Sequence, residues 1–177
     1  MRPRPLAARR VVRFMRKFLV ILVAVLPLLF ASPATAEKPS RFPLVAEGFT
    51  ATDVCAFPVR LDLLLNNQSV IEFADGRTTI TGHFVSRLTN LNDPSKTLVV
   101  EASGPIFILP NPDGTFTLKA TGQNIIFFFP GDLGPGEPGG IFLIRGLTLE
   151  QFDADFNFVV GSFTHQGDMQ DLCAVLA

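Results

Sequence analysis

Thr78-Thr79-Ile80-Thr81-Gly82-His83-Phe84-Val85-Ser86-Arg87-Leu88-Thr89-Asn90-Leu91 is the stretch on which the fold turns. Ile80, Gly82, Phe84, Ser86 and Leu88 alternate with Thr79, Thr81, His83, Val85, Arg87 and Thr89. Successive side chains of a strand leave opposite faces, so this alternation predicts one long strand with a dry face and a wet one. On its N-terminal side, Asp75-Gly76 marks a tight turn, because Gly supplies the positive φ such turns require. Before that turn, Val59, Leu61, Leu63 and Leu65 alternate with Arg60 and Asp62, and Gln68 to Phe73 follows Asn66-Asn67 as an expected hairpin partner.

Asn92-Asp93-Pro94-Ser95 turns the chain beyond the long strand. Thr97 to Ala102 and Pro105 to Leu109 are then expected as a strand pair, or as one strand bent at Ser103-Gly104-Pro105. Asn111-Pro112-Asp113-Gly114 turns again, Thr115 to Thr121 alternates, and after Gly122 comes a strand from Asn124 to Phe129. That strand is apolar on both faces, since Ile125, Phe127 and Phe129 alternate with Ile126 and Phe128. A one-sided sheet does not explain it, so these five residues are a candidate apolar surface or pocket. They await cover by the C-terminal segment, the lead-in from Glu37 to Val54, a second protomer or a ligand.

Residues 131–140 hold five Gly and two Pro, the composition of a mobile loop. Ile141 to Arg145 and Leu147 to Phe152 resume the sheet, Asp153-Ala154-Asp155 turns it, and Phe156 to Gln166 is the last expected strand. A short helix is expected within Asp168 to Val175. The lead-in reads as loosely ordered, with room for an edge strand. The whole is all-β, an antiparallel meander of about eight strands: an up-and-down barrel first, a β-sandwich second.

Charge divides the chain. All 16 acids follow Ala36, whereas 7 of the 15 Lys and Arg precede it. That basic start, the apolar run Phe18 to Ala31 and the small residues Ser32-Pro33-Ala34-Thr35-Ala36 form the pattern of a secretory signal, cleaved after Ala36. The apolar run is shorter than the roughly 18 to 20 residues of a spanning helix, so no membrane association is expected after cleavage. The expected mature domain, residues 37–177, carries 8 cations against 16 acids, a net −8 with no basic cluster, which argues against nucleic acid as a partner. Cys55 and Cys173 are the only two cysteines, and in an oxidising compartment they have one possible intramolecular pairing.

Catalytic patterns are sparse. His83 and His165 lack ligand spacing for a metal, and Asp153, Asp155 and Asn157 meet Phe158 and Thr164 where a calcium loop needs Gly and Glu. No nucleophile elbow or phosphate loop is present, and no cofactor is expected. Glu72, Glu101 and Glu150 lie within expected strands, as acids on a solvated face or, if they line an interior, as acid/base candidates. The 18 Phe, with no Trp or Tyr, favour a packed core or dry pocket over a sugar site.

Phe73-Ala74-Asp75-Gly76-Arg77, Thr81-Gly82, Gly104-Pro105, Asn111-Pro112-Asp113-Gly114-Thr115 and Asp171-Leu172-Cys173-Ala174 carry a resemblance to small secreted β proteins of actinobacterial type, a group that implies no particular activity. In architecture alone the meander is similar to the secreted barrels of the allene oxide cyclase and dirigent group, whose functional residues have no match here. The expectation is a secreted, non-enzymatic binding or interaction module whose partner is an apolar small molecule, an envelope component or a second copy of the chain. A cyclase- or isomerase-type enzyme and a structural cell-envelope protein are the alternatives.

Overall fold

The computed structural model describes residues 37–177, and the expected signal segment lies outside them. The described residues cluster as one compact unit. Their strands are β1 (Ser40–Pro43), β2 (Phe49–Ala51), β3 (Val59–Asn66), β4 (Ser69–Glu72), β5 (Thr78–Thr81), β6 (Phe84–Asn90), β7 (Thr97–Glu101), β8 (Ile106–Pro110), β9 (Phe116–Phe128), β10 (Gly140–Phe152) and β11 (Thr164–Asp171), followed by one helix, α1 (Leu172–Leu176). The all-β reading holds, with eleven strands rather than eight among these residues. They form two antiparallel sheets, β1-β4-β5-β8-β9-β10-β11 and β2-β3-β6-β7. No closed barrel forms; the two sheets share a core, which is nearer the sandwich alternative.

Three expected connections are corrected, all for one reason: the chain changes sheets where the sequence shows only a turn or a glycine. The strand expected from Thr78 to Leu91 breaks at Gly82-His83, so β5 pairs with β4 and β8 while β6 pairs with β3 and β7. Gly82 has φ +141°, and a Cβ there would strike the Asn67 carbonyl oxygen. The hairpin expected across Asn66-Asn67 does not form, because the chain crosses to the larger sheet there. Asn66 holds that crossing by accepting from the Gln68 N–H and donating to the Leu44 carbonyl. The two crossings touch, with the Asn67 N–H donating to the His83 carbonyl at 2.8 Å. The pair expected from Thr97 to Leu109 is likewise two strands in different sheets, joined by a third crossing at Ser103-Gly104-Pro105.

Beyond that crossing, Gly122 does not separate two strands but lies inside the 13-residue β9. In the register of the sheet it stands beside Gly146 of β10, which stands beside Gly167 of β11. All three have positive φ, and a Cβ on Gly146 or Gly167 would collide with the neighbouring strand's backbone. This row lets three strands leave extended geometry together without losing their ladder.

The lead-in contributes two edge strands, β1 and β2, one to each sheet. The last strand is displaced: residues 156–163 form a loop and β11 begins at Thr164. Its sequence, Thr-His-Gln-Gly-Asp-Met-Gln-Asp, hides the strand because an edge strand wet on both faces has no period-two pattern. The helix is shortened accordingly, with Asp171 capping it by accepting from the Ala174 N–H. The loop at residues 131–140 is tied by its own backbone bonds, including Gly131 N–H to the Glu137 carbonyl at 3.0 Å, and by Gly161 N–H to the Asp132 carbonyl.

Between the sheets, Val59, Leu61, Leu88 and Val100 meet Ile141, Leu143, Leu172 and Leu176. Cys55 and Cys173 flank this cluster as a disulfide with Cα atoms 5.6 Å apart, as expected from the sequence. Asn90, 5% exposed, donates to the Leu176 carbonyl and accepts from the N–H groups of Asn92 and Asp93, tying α1 to the turn that ends β6.

Candidate functional site

The doubly apolar run splits between several environments. Ile125 and Phe127 pack against the inter-sheet core, and the Phe49 ring of β2 lies 5.2 Å from that of Phe127. Phe128, 1% exposed, is enclosed by the rings of Phe142, Phe158 and Phe163. The lead-in and the C-terminal part of the chain thus supply the cover that the sequence required. Phe129, 53% exposed, remains at the surface.

Ile125, Ile126 and Phe127 also border a cleft of about 190 Å³, together with Ile106 of β8, Leu118, Ala120 and Asn124 of β9, and Glu150 of β10. Register explains the grouping, since Ile106 pairs with Ala120 and Glu150 with Leu118, placing them on one face of the larger sheet. An apolar hollow of ~150 Å³ holds a benzene molecule, so this one suits an occupant near the size of a single ring. Asn124, 6% exposed, turns its amide Nδ2 to the Thr121 carbonyl at 3.0 Å.

Glu150 is the chemically distinctive wall. It is 7% exposed, and among the described residues its carboxyl has neither a hydrogen-bond partner nor a cation. Burial alone pushes it from 4.5 up to about 7, because an apolar wall disfavours the charged form. Two residues earlier on the same face, the buried Thr148 hydroxyl also lacks a partner. Lys119, the cation beside Leu118 in sequence, projects from the opposite face of β9 by strand alternation.

Of the polar residues singled out from sequence, Glu150 borders this cleft, and His165 borders a smaller hollow of about 90 Å³ with Leu147, Leu149, Thr164 and Gln166. Glu72 is at the surface with Ser40, and Glu101 accepts from Ser103 while lying 3.2 Å from exposed His83. His165 stacks on the Phe163 ring, with centroids 5.7 Å apart, in exposed β11. Asp153 accepts from the Asn157 side-chain amide and from the N–H groups of Asn157 and Asp155, a turn device that holds its carboxyl below the usual range. No cluster of three or more potential metal ligands occurs among the described residues. A larger hollow of about 360 Å³ beside the disulfide is lined by Val54, Ala56, Pro130, Pro138 and Gly139, with exposed Asp53 at its margin and no buried polar group. Among the described residues no helix is long and apolar enough to cross a membrane.

No protein-family model, curated protein or solved structure matches the chain.

Proposed function

We propose that this protein is a secreted, non-enzymatic binding module that takes a small, largely apolar molecule in the cleft between β8, β9 and β10. The observation that carries the reading is the cleft's composition: apolar walls from Ile106, Leu118 and residues 125–127, with one inward carboxyl, Glu150. Such a hollow, apolar except for Glu150 and the Asn124 amide that is already bonded to the Thr121 carbonyl, selects for shape and fixes one end of its occupant. The disulfide fits an oxidising compartment and so supports secretion. Incubating the purified protein with lipid and metabolite extracts, followed by native mass spectrometry, tests the proposal. Retention of one small apolar species is expected, and repeated recovery of empty protein would defeat it.

The second reading is an isomerase-type enzyme, favoured by a carboxyl that burial holds near neutrality, where a group can both take and return a proton. It predicts that the protein accelerates deuterium exchange next to the carbonyl of small cyclic ketones and that Glu150→Gln abolishes the effect. Exchange at the uncatalysed rate would remove this reading.

A further inference from the structure

Glu150 and Thr148 stand on the same face of β10, both more than nine-tenths buried as residues; the Thr148 hydroxyl has no partner, and the Glu150 carboxyl, paired with no described group, opens onto the cleft. Structural polar groups so deep in a fold are normally satisfied by the fold itself. Here the carboxyl instead borders a cleft whose other walls are apolar apart from Asn124, and the Asn124 amide already donates to the Thr121 carbonyl. The deficit at the site is therefore one of hydrogen-bond donors and positive charge. A neutral apolar occupant would leave it unmet, whereas a compact cation would supply both.

From this geometry we infer that the cleft takes a small primary amine, its ammonium group on Glu150 and a body of about one ring against Ile106, Leu118 and residues 125–127. The inference rests on the proposed binding function and names the ligand class for it. Charge complementarity supports it at two ranges. Locally, an ammonium gives the carboxylate a charge-assisted hydrogen bond inside apolar walls, where such bonds are strongest. At longer range, the excess of 16 acids over 8 cations in residues 37–177 draws cations toward the domain and repels anions. Size supports it too, because a cleft of about 190 Å³ has room for a ring bearing a short aminomethyl arm and little more.

Benzylamine, with benzyl alcohol and toluene as neutral counterparts of the same shape, tests the assignment by calorimetry at pH 8 on the purified protein. Benzylamine is expected to bind at least tenfold more tightly than benzyl alcohol, and Glu150→Gln is expected to erase that preference while leaving the affinity for toluene within about twofold. Glu150→Met provides the same comparison if the Gln variant fails to fold, as judged by circular dichroism. If the neutral compounds bind and the amine binds no better, or if its preference survives both substitutions, the amine assignment is overturned while the binding cleft stands. If none of the three binds and none perturbs the methyl resonances of Ile125 and Ile126, the cleft reading falls as well.

Discussion

At residue 150 the sheet places an acid where only a neutral group is comfortable, and stability must depend on pH accordingly. The folded carboxyl holds its proton up to about pH 7, whereas the unfolded one releases it near 4.5. Between those values the folded chain carries more bound protons, so this group's contribution to stability falls as pH rises and levels off above about 7. Full ionisation costs on the order of 3 kcal/mol. Glu150→Met is expected to flatten the urea-unfolding profile across that window and to be more stable than the parent by about that amount at pH 8. Two neighbouring phenylalanines provide a second test at this scale. Phe128→Ala should lose about 3 to 5 kcal/mol by emptying a site ringed by Phe142, Phe158 and Phe163. Phe129→Ala, at a half-exposed position, should cost less than about 1 kcal/mol in the same assay. In sequence the two residues are equivalent, because periodicity assigns a face but does not say what lies over it.

Strands β9 and β10 depend on an irregularity that they share. Gly146 stands between Gly122 and Gly167 at φ +151°, with the Gln166 carbonyl oxygen where a Cβ would go. Gly146→Ala is expected to destabilise by at least about 2 kcal/mol, through backbone strain and a displaced edge strand. Gly114, also at positive φ but with open space around it, should cost only about 1 kcal/mol on the same change. Comparison of denaturation midpoints separates close approach from conformational freedom alone. The element-scale errors of sequence reading arise at such glycines. Gly76 and Gly114 were legible as turns because Asp and Pro accompany them, and the hairpins they close are present. Gly82 and Gly122 have no such company, and at Gly104 the adjacent Pro105 marks a bend but does not distinguish a sheet crossing from a turn or a bent strand.

Across the whole molecule, the Cys55–Cys173 bond spans a separation of 118 residues and lies against the inter-sheet core. Replacing both cysteines with Ser should lower stability by about 2 to 4 kcal/mol in chemical denaturation, with the chain-entropy value of ~4 to 5 kcal/mol as the ceiling. A single cooperative transition is expected to persist, since the cluster from Val59 to Leu176 draws on both sheets and α1 at once. The amino-acid order alone determined the β class, the hairpin turns at Asp75-Gly76, Asn92 to Ser95 and Asn111 to Gly114, the one possible disulfide and the need for cover on both faces of residues 125–128. Each follows from local stereochemistry, periodicity or counting. Which strands are neighbours, the edge strand hidden in a polar stretch, and the choice of Glu150 over Glu72 and Glu101 as the buried acid were decided only in three dimensions. All three candidate glutamates look alike along the chain; what separates them is the apolar surface that distant segments fold around one of them.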